Sequence, residues 1–142
     1  MFSSGCSGTL ALFLVVLILV YFMMNHVVEG YKKEDPMLFE LRDTIRPLHP
    51  DTIDRLIFLE DTKSYTINKS KIYLCLRDEN GEYYDKNMLV YVTLHELAHV
   101  LCDEVGHTDK FRLIFKNILE QGVQMGIYNP NIEPIDNYCQ YN

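Results

Sequence analysis

The first 28 residues contain no Asp, Glu, Lys or Arg. Nothing in that stretch demands water. Leu10 to Met24 (LALFLVVLILVYFMM) is unbroken apolar sequence, and Gly5 to Thr9 ahead of it is small and uncharged. Together they supply about 20 residues, enough helix to cross a bilayer. Two further absences bear on this segment. No Lys or Arg precedes the apolar run, and no small-x-small site follows it, so a cleaved signal peptide fits poorly. A buried core helix would be apolar on every side, which suits lipid better. The expectation is a retained single-pass anchor, with membrane contact through residues 5–24. Lys32 and Lys33 follow the span and no positive charge precedes it, which by the positive-inside rule puts the rest of the chain on the cytoplasmic side.

The remainder lacks a basic stripe and any Lys/Arg cluster interleaved with aromatics. The net charge of -7 falls wholly after the span. An acidic domain of this kind excludes an autonomous nucleic-acid binder, so no direct nucleic-acid binding is expected. No C-x-x-C pair is present. Cys75, Cys102 and Cys139 are expected to be small buried thiols, with one disulfide formed if the domain faces an oxidising compartment. Internal repeats and low-complexity tracts are missing too. Residues 1–30 therefore read as anchor and tether, and residues 31–142 as one domain large enough for a core.

What is present gives an α+β order. Asn25 to Glu34 is a polar tether. Asp35-Pro36 is a helix start, with Leu38, Leu41 and Ile45 at helical spacing and Pro47 and Pro50 ending the run. Arg55 to Glu60 and Lys71 to Arg77 are short, apolar and β-rich, and Ser64 to Ile67 is a possible third strand. Asp78-Glu79-Asn80-Gly81 is a turn. Asp85 caps a helix over about Lys86 to Cys102, whose core stripe is Val90, Leu94, Leu97, Ala98 and Leu101. Gly106 breaks it. Thr108 caps a further helix, about Asp109 to Met125, with Phe111, Ile114, Phe115, Ile118 and Leu119 as its apolar face. Asn129-Pro130 ends the regular structure.

The first long helix of this pair carries His95-Glu96-Leu97-Ala98-His99. Two His at i and i+4 lie one turn apart on one helix face. Their ring nitrogens can converge on a tetrahedral Zn²⁺, and the Glu between them can act as general base on the water that the metal holds. The same face carries Met88, Val92 and Cys102 or Asp103. A catalytic zinc needs a third protein ligand and an open position. His107, just past Gly106, is the first candidate and Glu120, in the following helix, the second. Asp103 reads first as a plain surface acid, with orientation of a ligand ring as the alternative. Tyr91, Tyr128 and Tyr138 are candidate oxyanion donors, but a structural role is the better reading of each.

The segment HELAHVLCDEVGHTDKF (residues 95–111) resembles the active-site segment of the WLM and SprT-like zinc metallopeptidases. Those families share the H-E-x-x-H box, a short connection, then a Gly-His or Pro-His pair opening a helix with an aromatic four residues on. Here the pair is Gly106-His107 and the aromatic is Phe111. KIYLCLR (residues 71–77) and the segment before the box are also similar to WLM sequences, so the resemblance covers about Ile53 to Tyr128. It implies a zincin-like fold, Zn²⁺ as cofactor, His95, His99 and His107 as ligands, and Glu96 as general base. The spacing from His99 to His107 is not that of the metzincins. Some members act on proteins crosslinked to DNA through basic or zinc-binding regions; this acidic chain shows none, so that role is not carried over.

The expected function is therefore a membrane-anchored zinc metallopeptidase acting on a protein or peptide substrate. Lys71 to Arg77 is expected, by analogy with zincins, to be the edge strand that aligns the peptide. Three rivals remain. A non-catalytic zinc-binding interaction module at a membrane would give Glu96 no chemical duty. A small-molecule amide hydrolase would ignore unfolded protein. A closed structural Cys/His₃ site would recruit Cys102 as its fourth ligand.

Overall fold

The computed structural model describes residues 5–30 and 35–140. Lys32, Lys33 and most of the charged end of the tether lie outside the described residues. The chain divides into two compact units, Met1–Glu34 and Asp35–Asn142.

Among its described residues the first unit is a single helix, α1 (Gly5–Gly30). Its window Gly8–Asn25 has a mean hydropathy of 2.3 and no part of it is buried. The large side chains from Leu10 to Met24 are exposed on every side of the helix. One helix is thus long and apolar enough to cross a membrane.

The second unit begins with α2 (Pro36–Ile45). Asp35 caps it, its carboxylate accepting from the Met37 amide at 2.9 Å, and Pro36 occupies the first turn, where a missing N–H costs nothing. Leu38, Leu41 and Ile45 are its buried face. Beyond Ile45 the chain does not become plain loop. A 3₁₀ turn (Arg46–Leu48) and a one-turn helix, α3 (Pro50–Ile53), follow. Each of those prolines ends what precedes it and also opens a new turn, because Pro is tolerated at the first helical position.

Three short strands form one mixed sheet: β1 (Ile57–Glu60), β2 (Tyr65–Ile67) and β3 (Lys71–Leu74). The order is β1-β3-β2. β1 pairs with β3 in parallel, and β2 pairs with β3 antiparallel across a tight turn. Asn68 and Lys69 both take positive φ there, 50° and 52°. This order corrects one expectation. The segment from Lys71 is the central strand, hydrogen-bonded on both sides, and it ends at Leu74 rather than Arg77. β1 and β2 are the two edge strands.

α4 (Lys86–Leu101) crosses this unit as its central element. It packs against α2, β2, β3 and α5 (Asp109–Gln124). The expected single stripe is therefore too narrow. Met88, Leu89, Val90, Val92, Thr93, Leu94, Leu97 and Ala98 are all buried, while Leu101 is only half-buried. Helix α5 is the amphipathic one, burying Phe111 and Ile118, with Ile114, Phe115 and Leu119 packed against the core. It ends as helices commonly do, with Gly126 at φ +71° and the Ile127 amide returning to the Gly122 carbonyl at 2.8 Å.

The thiol expectation is half right. Cys102 is free and buried. Cys75 and Cys139 instead form a disulfide across a separation of 64 residues. Cys75 follows the buried end of β3, and the tail returns to the same place, so the two side chains meet.

Two acids at helix starts differ in what they hold. Asp85 accepts from the Asn87 amide at 2.9 Å, whereas the Asp109 side chain is wholly exposed and pairs only with Arg112. Asp85→Ala should lower stability by about 1 kcal/mol, and Asp109→Ala by a few tenths at most. Urea denaturation of the two variants checks this; equal losses would contradict the capping role.

Candidate metal centre

His95 and His99 project from one face of α4, one turn apart. The helix ends at Cys102, and the connection to α5 turns through Gly106 at φ +84°. That left-handed conformation is open to glycine at no steric cost. It brings His107 back over the end of α4. His107 Nε2 lies 3.1 Å from His95 Nε2 and 3.2 Å from His99 Nε2. In a tetrahedral site with metal–nitrogen bonds of about 2.0–2.1 Å, ligand nitrogens sit about 3.3 Å apart. The donor set and its spacing therefore fit a zinc-sized cation, and this trio is a group able to hold a metal ion.

Phe111 is the platform that fixes the three rings. Its centroid lies 5.0 Å from that of His95, 4.2 Å from His99 and 4.9 Å from His107. Phe115 adds a further edge contact to His95 at 5.0 Å. Phe111 is buried, and Thr108 caps its helix by accepting from the Phe111 amide at 3.3 Å. The aromatic four residues after His107 thus has a physical duty, to set ring orientation.

Burial, followed by the neighbouring charges of His99 and His107, pushes His95 down to about 4. Burial, His107 and Lys69 lower His99 as well. Both rings are thus neutral near pH 7, the form in which imidazole binds a metal. The Lys69 ammonium donates to the His99 carbonyl at 2.9 Å and also to the Cys102 carbonyl. It caps the negative end of α4.

Glu96, next to His95 in the helix, is 4% exposed. Its Oε2 accepts from Thr66 Oγ1 at 2.7 Å. Burial raises its pKa to about 7, and the Thr66 hydrogen bond offsets part of that rise. Thr66 was not singled out by the sequence. A hydroxyl on a short strand 30 residues upstream carries no local signal, and only the sheet order brings it here.

Other expected roles fall elsewhere. Glu120 is exposed and faces Lys116 at 3.9 Å; it is not in the metal group. Asp103 pairs with Lys110 at 2.6 Å and is largely exposed, so it orients no imidazole. Cys102 is buried at the helix end, outside the histidine group, and a closed Cys/His₃ site is not assembled. Tyr128 packs with Tyr91 at 5.8 Å between ring centroids. The Tyr138 hydroxyl is engaged by Ser64 Oγ at 2.8 Å and by the Cys75 carbonyl.

Two cavities meet at the centre. One of about 510 Å³ runs along β2 and is lined by Thr66, Lys69, His95, Glu96, His99 and His107, with Val105 at its rim. The other, about 440 Å³, lies beside His95 and Glu96 toward the C-terminal tail. Ser64, His95 and Glu96 border both, so they form one cleft passing over the histidines beside the edge strand.

No protein-family model matches this chain. It is similar to the uncharacterized protein 136R of Invertebrate iridescent virus 6, 51% identical over 83 residues, covering 56% of this chain and 47% of that protein. It is also similar to the uncharacterized protein 042R of Invertebrate iridescent virus 3, 45% identical over 100 residues, covering 67% and 63%. A third relative is the uncharacterized protein R325 of Acanthamoeba polyphaga mimivirus, 46% identical over 67 residues, covering 46% and 34%. The chain thus spans between about a third and under two thirds of the length of these relatives. Among solved structures, Wss1 from Saccharomyces cerevisiae superimposes with a TM-score of 0.52 at 22% identity, over 61% of this chain and 77% of that one. A Wss1 mutant gives 0.54 at 21% identity, over 69% and 88%. At that identity the likeness establishes the fold, a distant WLM-like one.

The perturbed pair Glu96 and His95 dictates how stability without metal depends on pH. Between about pH 4.5 and 7 the folded chain retains the Glu96 proton that the unfolded chain releases, so this group's contribution is lost as pH rises. His95 acts oppositely: its contribution is complete above about pH 6.5 and is lost as pH falls toward 4. Glu96→Gln removes only the first effect. The chelator-stripped variant should be more stable than wild type at pH 8, by up to about 3 kcal/mol, and equal to it below pH 4. Thermal melts across pH check this; a difference that does not vary with pH would contradict it.

Proposed function

We propose that this chain is a membrane-anchored, zinc-dependent metallopeptidase. The observation that carries the reading is the convergence of three imidazoles on one point, with a buried carboxylate on the adjoining helix position and an open cleft across both. His95, His99 and His107 hold the metal. Zinc, when bound, supplies Lewis-acid polarisation of the scissile carbonyl and lowers the pKa of water.

The chain's own residues perform the remaining tasks. Glu96 takes the proton from the attacking water and returns it to the leaving amine. Its raised pKa keeps it close to the operating pH, where such a shuttle works best. Thr66 holds the carboxylate toward the cleft through its 2.7 Å bond. Burying a carboxylate behind one hydroxyl is costly, and a module that only bound zinc would gain nothing from it. β2 borders the cleft and has an unpaired edge, so an extended peptide laid beside it would gain main-chain hydrogen bonds. A polypeptide substrate fits such an edge better than a small amide. The WLM-like fold supports the same reading, since it places an H-E-x-x-H helix and a following loop histidine around one centre. The acidic charge of the domain supports a protein or peptide substrate over nucleic acid.

The Gly8–Asn25 segment serves as the anchor in this reading. The Cys75–Cys139 disulfide supports an oxidising side for the domain, because disulfides persist in oxidising compartments and are rare in the cytosol. That sets it against the cytoplasmic placement expected from Lys32 and Lys33, a signal only two residues deep.

The full chain in detergent, loaded with zinc, should cleave an unfolded protein substrate. Glu96→Gln should retain the metal and lose at least about a hundredfold in kcat. Cleavage by that variant at the wild-type rate would sink the general-base assignment. Mass-tagged alkylation of the chain taken from its own membrane under denaturing, non-reducing conditions should modify Cys6 and Cys102 and leave Cys75 and Cys139 untouched; modification of all four would return the domain to a reducing side.

A further inference from the structure

The C-terminal tail is fastened to the edge of the cleft at several points, none of which the proposed chemistry uses. The Cys75–Cys139 disulfide ties it to the end of β3. The Tyr138 hydroxyl meets Ser64 Oγ at 2.8 Å and the Cys75 carbonyl. Ser64 Oγ in turn accepts from the Cys75 amide at 2.9 Å. The Cys139 amide donates to the Tyr84 hydroxyl at 3.0 Å, and the Tyr84 and Tyr138 rings lie 4.9 Å apart. Cys139 holds φ +51°, a conformation that non-glycine residues rarely adopt without outside support. The segment is thus pinned by a covalent bond, three hydrogen bonds and a ring contact.

What it is pinned beside gives the arrangement meaning. Tyr138, Cys139 and Gln140 form one wall of the 440 Å³ cavity, and Met88, Tyr91 and Val92 of α4 form the facing wall. His95 and Glu96 border the same cavity. A residue next to a bond held at the histidines would therefore project its side chain between the tail and α4. The walls are mostly apolar, and the space takes a branched aliphatic or aromatic side chain.

We propose that residues 138–140, clamped by the Cys75–Cys139 disulfide, are the specificity-determining wall of a side-chain pocket beside the metal centre, selecting substrates with a large apolar residue adjacent to the scissile bond. This rests on the metallopeptidase reading for the position of the scissile bond. A wall fixed before binding loses little freedom when the side chain enters, so discrimination is built into the free protein.

The test reads binding rather than turnover. Peptide hydroxamates that differ only in the side chain next to the chelating group, carrying methyl, isobutyl or benzyl, are titrated calorimetrically into the zinc-loaded full chain in detergent. Wild type should bind the isobutyl and benzyl compounds at least about tenfold more tightly than the methyl one, the range expected for filling an apolar pocket. In the double variant Cys75→Ser/Cys139→Ser that preference should fall below about threefold while the methyl compound binds as before. Val92→Phe fills the cavity from the α4 side without touching the tail, and should remove the benzyl preference even if the double variant fails to fold. Loss of the preference in either zinc-retaining variant supports the proposal. A wild type without side-chain preference, or a preference unchanged in every variant that retains zinc, overturns it. Side-chain-dependent binding without peptide cleavage would leave the pocket standing and remove the hydrolytic reading alone. No hydroxamate binding at all would overturn both.

Discussion

The His107 ring nitrogen is held about a hydrogen-bond length from those of both His95 and His99, and the rest of the domain is arranged to keep the three together. Two come from helical spacing alone, because residues four apart share a face. The third depends on a left-handed turn at Gly106 that folds the chain back over the helix end. Lone pairs aimed at one point do not stay so unaided. Phe111 lies against all three rings, and Lys69 fixes the last turn of α4 by its carbonyls. Burial keeps His95 and His99 neutral, which preserves their lone pairs for a cation.

The central helix is what makes this possible. A helix packed on one side would present its histidines to open solvent. α4 instead has neighbours nearly all round, and its uncovered turn is the one that opens on the cleft. The same burial that raises Glu96 toward neutrality lowers its histidine neighbours. One environment therefore shifts the carboxylate and the imidazoles in opposite directions within the same helix turn. The sheet completes the site from above, with Thr66 on the carboxylate and the free edge of β2 along the groove.

Much of this was legible in the residues. The Asp35, Asp85 and Thr108 caps, the two long helices and the three strands all appear within a few positions of where spacing and turn chemistry put them. The role of Phe111 was readable as an aromatic following His107. What escaped was long-range. Nothing in seven residues of apolar sequence says whether a strand is central or at an edge; Lys71–Arg77 was expected at the edge, whereas its strand, Lys71–Leu74, lies between β1 and β2. Thr66 on Glu96 spans 30 residues and the Cys75–Cys139 bond spans 64; pairings at such distances leave no mark in local pattern. Asp103, read first as a plain surface acid, is one, paired with Lys110 in solvent.

The central claim is that three histidines, and no acid from the following helix, hold a zinc ion. Elemental mass spectrometry on the full chain in detergent, beside its His107→Ala and Glu120→Ala variants, tests it most directly. Near-stoichiometric zinc in wild type and Glu120→Ala, with loss only in His107→Ala, is the predicted result. Zinc retained in His107→Ala and lost in Glu120→Ala, or zinc missing from wild type, would contradict the account.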